Sequence, residues 1–209
     1  MSASPAHPTT LEARVCSHEW VADARQLGRW MLVVPNPTGA QALCRHGRKR
    51  LVAAWQDHVG TESLAAAAPL EWRLLESLPP RGSEAEARCS EPIRSPLVTC
   101  LQRRGADGLE CRVRVPYDLA VFDGHFPAIP ILPGVVQVDW AVALAHAHWR
   151  MKGRFKGVTA TKFRRLVQPG MSLALALEHL PESGEMRFEY RLGEAMVSTG
   201  RVFFRGADD

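Results

Sequence analysis

The sequence predicts an α+β protein: an antiparallel sheet wrapped around one long central helix, preceded by a small α/β segment. Three observations carry this. Residues 134–149 (GVVQVDWAVALAHAHW) supply about four turns that are apolar almost all round. A helix of that composition is expected to be buried on nearly every side. Several runs flanking it alternate apolar and polar residues with the two-residue period of strands and are separated by turn residues. Between residues 79 and 95 (PPRGSEAEARCSEPIRS) the chain is rich in Pro, Ser, Gly and charge, without apolar periodicity, and reads as a linker. The expected division is therefore 1–78, a small α/β segment; 79–95, linker; and 96–209, the sheet-and-helix domain.

In chain order, residues 1–10 are small, polar and proline-containing and read as a frayed end. From Val21 the sequence offers a short helix or loop, then a strand at Trp30–Val34 closed by PNPTG. Residues 41–58 form an amphipathic pattern, with Leu43, Leu51, Val52 and Trp55 on one face and Arg45, Arg48, Lys49 and Arg50 largely elsewhere. The basic run HGRKR is read as a solvated helix face. Ala-rich residues 65–68 lead to a second strand at Glu71–Ser77.

The second segment opens with a hairpin, Leu97–Arg103 and Glu110–Tyr117, joined by GADG. Pro127, Pro130 and Pro133 then stiffen a non-helical loop, because each fixes its own φ and pushes its predecessor toward extended backbone. The central helix follows at Gly134. Apart from histidines, Asp139 is the only formally charged residue between Asp123 and Arg150. Three more strands are expected at Val158–Val167, Met171–Leu180 and Glu185–Leu192, and a last one at Ala195–Phe204.

The stretch GHFPAIPILPGVVQVD resembles the active-site signature of the hot-dog-fold 3-hydroxyacyl-[acyl carrier protein] dehydratases, G-H-F-x-x-x-P-x-x-P-G-x-x-x-x-[DE]. Asp stands at the acidic position, as in the branch that also isomerises, and GVVQVDW is closest to dehydratases of aryl-polyene and xanthomonadin-type pigment pathways. The resemblance covers about residues 96–209. It implies dehydration of 3-hydroxyacyl thioesters in fatty acid or polyene biosynthesis, without metal or organic cofactor. It also implies a dimer, homodimeric or formed with a second hot-dog protein, whose subunits exchange His and Asp across the interface. More faintly, LVAAWQDHV with PLEWRLLESLPP resembles the C-terminal lobe of an acyl-adenylating ligase. LPPRGSEAEARC lacks the lysine of that family's L-P-x-N-x-x-G-K, so this resemblance implies a remnant without adenylation activity.

Dehydration needs a base for the C2 proton, an acid for the departing 3-hydroxyl and a donor for the thioester oxygen. His125 suits the base because its ordinary pKa, about 6.5, leaves a neutral fraction at pH 7. Asp139 suits the acid if burial raises its pKa. The free N–H groups at the helix start, Gly134 first, form a ready oxyanion site. Phe126, Pro133, Val135 and Gln137 are expected along the substrate tunnel, with Gln137 near enough to orient Asp139. His146 and His148 face different sides of the helix and make a poor metal pair, and Cys100 and Cys111 read as small core residues. Tyr117 and Phe122 are read as core, with a place along the acyl tunnel as the alternative.

The 209 residues, 46% hydrophobic and 23% charged, suit a globular protein able to bury a core. The net charge of +4 is dispersed, without an aromatic-interleaved basic stripe, so nucleic acid is not the expected partner. An acidic carrier protein bearing its acyl group on phosphopantetheine is, and Arg154, Lys156, Lys162, Arg164 and Arg165 are the expected docking cations, with Arg150 and Lys152 nearby. Five scattered cysteines without a CxxC pair point to reduced thiols and a cytoplasmic location rather than a disulfide framework or zinc site. No signal-like or membrane-length apolar run is present. A hot-dog thioesterase and a non-catalytic or weakly active subunit of a heterodimeric dehydratase are the alternatives. The first is disfavoured by the combined motif, and the second by retention of His125 and Asp139.

Overall fold

The computed structural model describes residues 10–60, 70–80, 89–149 and 154–205. The chain divides into two compact units, the first Met1–Arg94 with Pro116–Pro130, the second Ser95–Val115 with Ile131–Asp209. The loop at 116–130, expected in the second segment, is thus part of the first unit.

In the first unit, α1 (Leu11–Cys16) is capped by the Thr10 hydroxyl, which accepts from the Ala13 N–H. The expected helix or loop after Val21 is instead a strand, β1 (Val21–Leu27), paired antiparallel with β2 (Trp30–Pro35). Gly28, at φ 55°, supplies the left-handed turn between them. β2 also pairs in parallel with β3 (Glu71–Leu74), which ends three residues before the expected Ser77. The helical segment α2 (Pro37–Val59) links β2 to the polypeptide before β3 and starts at Pro37, ahead of the expected 41, because Asn36 caps it and Pro37 fits the first turn. It is broken at Gly47, whose φ of 75° and ψ of 168° are not helical. Met31, Val33, Leu43, Leu51, Trp55, Trp72 and Leu74 form the core of this unit. The Ala-rich run at 65–68 lies outside the described residues, as do 81–88 of the expected linker. The linker's described flanks are packed: the Pro79 carbonyl accepts from Arg25 at 2.6 Å, and Cys89 is buried with its carbonyl accepting from Arg73 at 2.8 Å. Backbone carbonyls hold this stretch, and they leave no trace in apolar periodicity.

The second unit is a six-stranded antiparallel sheet in the order β4-β5-β7-β8-β9-β6, formed by β4 (Leu97–Arg104), β5 (Gly108–Arg114), β6 (Arg154–Phe163), β7 (Ser172–Leu180), β8 (Glu185–Leu192) and β9 (Ala195–Arg205). β5 stops at Arg114 rather than Tyr117. β6 begins and ends four residues ahead of expectation, since Val167 is taken by a bond from the Leu132 N–H, 2.7 Å. The long helix α3 (Gly134–Trp149) lies on one face of this sheet, as expected.

Its first turns dock on one rung of the sheet. Cys111, Leu175, Tyr190, Ser198 and Phe163 are register partners across β5, β7, β8, β9 and β6. Gln137 meets this rung twice: its Oε1 accepts from the Ser198 hydroxyl at 2.7 Å, and its carbonyl from the Tyr190 hydroxyl at 2.9 Å. Gln137 is therefore a buried anchor and not part of an open tunnel. The expectation that α3 is covered on nearly every side fails. Gln137, Val138, Trp140, Ala141 and Ala145 are buried, whereas Val135, Asp139, Ala143 and Ala147 form an open stripe at every fourth residue. Cys111 is buried as expected, but Cys100 is exposed, at a bulge of the edge strand β4 where its φ is 54°.

Two outcomes follow from the rung. Gln137→Leu keeps the volume but strands the Ser198 hydroxyl, fully buried, and should cost about 1–3 kcal/mol in urea unfolding, much of it recovered by adding Ser198→Ala. Burial pushes the Cys111 thiol up to about 11 from its model-compound 9.0. A raised thiol stabilises the fold fully below the unfolded value and loses that contribution as pH rises toward the folded one. The urea midpoint should accordingly fall between pH 9 and about 11, and Cys111→Ala should lessen that fall.

Candidate active site

His125 belongs to the first unit. It follows a short 3₁₀ turn (Ala120–Asp123), and its N–H donates to the Val121 carbonyl at 3.0 Å. The ring is half-buried and stacks on Phe126, centroids 4.3 Å apart, across a cis peptide bond. Phe126 itself is 53% exposed. A second turn, Ile129 N–H to the Phe126 carbonyl at 3.1 Å, brings the chain to buried Pro130. Tyr117 and Phe122 are buried, as read from the sequence.

Asp139 belongs to the second unit and stands on the open stripe of α3. The expected burial of this carboxylate is thus not supplied by its own unit. The reason is angular: the residue two positions from an inward-facing Gln137 lies about 200° around the helix. On the sheet side of the helix, burial holds the Tyr190 phenol well above its ordinary range, and the charges of Cys111 and Asp139 add to the effect.

The helix start is defined by Pro133, whose carbonyl accepts from Val136 at 3.1 Å and Gln137 at 3.3 Å. The N–H groups of Gly134 and Val135 precede this first turn of bonds. A Cβ at Gly134 would lie 2.4 Å from the Phe163 ring, so only glycine lets that ring approach the helix start. Val135 is 72% exposed and Pro133 half-buried. Sequence reasoning missed Phe163. Its signal was the alternation of the run TKFRR, which turns Phe163 toward α3 and Lys162 away from it.

Of the expected docking cations, Lys162 and Arg164 come together with Arg187 and Arg201 around a groove of about 490 Å³ floored by Ala160, Ala176 and Gly200. This groove lies on the sheet face opposite α3, because Thr199, Glu189 and Ala176, which line it, alternate with the residues facing the helix. Lys156 and Arg165 are exposed, and Arg154 opens β6 opposite Arg205. Arg150 and Lys152 lie outside the described residues.

In the first unit, a cavity of about 150 Å³ behind the His125 loop is bounded by Leu43, Arg48, Arg73, Asp118, Phe122 and Pro130. Asp118 is buried and bridged by Arg48 Nε at 2.6 Å and Arg73 Nη1 at 3.2 Å. Among the described residues, no three His, Cys, Asp or Glu side chains gather as a metal-ligand set. No helix among them is long and apolar enough to cross a membrane.

A family model described as ApeI dehydratase matches residues 101–201. A 3-hydroxyacyl-[acyl-carrier-protein] dehydratase FabZ of Levilactobacillus brevis is 30% identical over 115 residues, which are 49% of this chain and 78% of that protein. The FabZ of Latilactobacillus sakei is 42% identical over 81 residues, 34% of this chain but only 57% of its own length. Among solved structures, the dehydratase heterocomplex ApeI:P from Xenorhabdus doucetiae is similar at 27% identity and a TM-score of 0.50, covering 53% of this chain and 99% of that one. None of these matches lends support to the ligase resemblance of residues 1–78. On the signature, the sheet-and-helix unit and these relatives together, the chain belongs to the hot-dog-fold 3-hydroxyacyl-[acyl-carrier-protein] dehydratase family and is similar to its ApeI-like members.

Proposed function

We propose that this chain dehydrates 3-hydroxyacyl thioesters carried on acyl carrier protein to trans-2-enoyl thioesters, in fatty acid or polyene pigment biosynthesis. The observation that carries the reading is a single carboxylate, Asp139, open on a mostly apolar helix whose N-terminus offers free N–H groups. His125 takes the C2 proton, Asp139 delivers a proton to the 3-hydroxyl, the C3–O bond breaks and water leaves as the C2–C3 double bond forms. The Gly134 N–H holds the thioester oxygen while it bears developing charge. The elimination leaves the overall oxidation state unchanged and consumes no oxidant or reductant, and the proton taken from C2 and the proton given to the 3-hydroxyl balance. Phe126, Pro133 and Val135 flank the acyl chain, and Gln137 supports the helix beneath them.

The open stripe of α3 and the exposed Val135, Phe163 and Leu166 favour a dimer in which a partner subunit covers Asp139 and supplies its desolvation. The solved relative is a heterocomplex, which favours a second, different dehydratase subunit as that partner. The acidic carrier protein is met by Arg154, Lys156, Lys162, Arg164 and Arg165.

Incubation with 3-hydroxyacyl carrier-protein thioesters, followed by mass, tests the reaction; hydrolysed acyl acid instead of enoyl product would indicate a thioesterase. His125→Ala and Asp139→Asn should each lower turnover about 10²–10⁴-fold with the fold intact, and near-normal turnover by either would remove that residue from the mechanism. Arg164→Glu with Arg165→Glu should raise the apparent KM for carrier-bound substrate, more at low salt, and leave a short pantetheine thioester nearly unaffected. Equal loss on both substrates would rule out the docking role.

A further inference from the structure

The first unit joins two stretches far apart in sequence, the N-terminal segment and the loop that bears His125. The joints concentrate on a few residues. Asp118, at the root of the loop, is 7% exposed and receives Arg48 and Arg73 on its two oxygens, 2.6 and 3.2 Å away. The same two arginines also tie down the segment: Arg48 donates to the Trp72 carbonyl, and Arg73 to those of Cys89 and Glu91. Next to Asp118, the Tyr117 N–H donates to Glu76 Oε1 at 2.9 Å. The Ala120 N–H donates to the Ile93 carbonyl at 2.8 Å.

On the far side of His125 the contact is steric. Gly47, where α2 breaks, lies so near Pro127 that a Cβ would stand 1.8 Å from its carbonyl oxygen. The break and the glycine let α2 approach the loop backbone directly. His125 therefore sits between two points of attachment, Asp118 before it and Pro127 after it, both answered by neighbouring residues of α2.

From this arrangement we infer that residues 1–94 are a positioning element for His125, acting through Arg48 and Gly47. The inference rests on the dehydratase reading only for its kinetic readout. Arg48 and Gly47 touch no reacting atom; they fix the loop on which the base stands. Misplacing a catalytic group by about 1 Å costs on the order of 10² in rate, chiefly in kcat when substrate binding is untouched.

The test uses the full chain labelled with [¹³C]histidine, its His125 ring resonance assigned by loss in His125→Ala. Arg48→Met and Gly47→Ala should shift that resonance and lower kcat by about 10²-fold, with KM changed by less than about threefold. Arg29→Ala, which breaks the exposed Arg29–Glu71 pair of the same segment, should do neither. If Arg48→Met does not fold by circular dichroism, Arg48→Lys, which keeps the charge but loses the two-pronged fork, carries the same two readouts. Unmoved resonance and kcat in the Arg48 and Gly47 variants would overturn the inference, as would equal effects from Arg29→Ala. Failure of the dehydratase reading is separate: the unmodified chain would then turn over no 3-hydroxyacyl thioester, and the resonance alone would decide the positioning role.

Discussion

The contact on which the second unit depends is the pair of hydrogen bonds from Ser198 and Tyr190 to Gln137. An apolar helix on an apolar sheet has little to choose between neighbouring rotations, because dispersion and burial are not directional. A buried amide that must be satisfied removes this freedom. With Gln137 inward, Val138, Trp140, Ala141 and Ala145 follow into the core, and Val135, Asp139, Ala143 and Ala147 are left outside. The glycine at the helix start completes the arrangement by letting Phe163, on the same rung, close against it.

The signature motif is divided between two supports. Its histidine half is held by a loop whose acidic root is clamped by two arginines, and its aspartate half by a helix pinned to a sheet. The two supports differ in kind. The first works by ion pairing and close backbone approach, the second by register and burial. A substitution in one core therefore bears on one half of the motif, so the two candidate reacting groups can be perturbed separately.

Much of this was legible in the residues. The strands Met171–Leu180, Glu185–Leu192 and Ala195–Phe204 were read within a residue or so, because their alternation reports a sheet with one wet face. The motif singled out His125, Gly134 and Asp139 as candidates, and the structure puts the first in one unit and the other two in the second. What escaped was set by contacts across long sequence separations. β1 looked like a helix or loop because VADARQL alternates weakly and owes its conformation to pairing with β2. The open stripe of α3 escaped because alanines and a valine are as apolar outside as inside, and composition alone does not say which face is covered. The clamp on Asp118 escaped because Arg48 reads as one more cation in HGRKR, and its role exists only once residues 70 positions apart meet. Cys100 was misplaced for a similar reason: the whole of edge strand β4 is exposed, and the apolar residues around Cys100 do not announce it.

The interleaving of the two units also sets an order of assembly during synthesis. The first unit waits for Pro130, so the chain has already made the β4–β5 hairpin of the second before the first can close. β5 then has β4 on one side only, and the edge of the strand bearing Leu109, Cys111 and Val113 waits for β7, which emerges about 60 residues later, roughly 3–12 s at ordinary elongation rates. Over that interval an apolar strand edge stands open to other nascent chains, and the charged face of the same strand, Glu110, Arg112 and Arg114, is what it has to keep them apart.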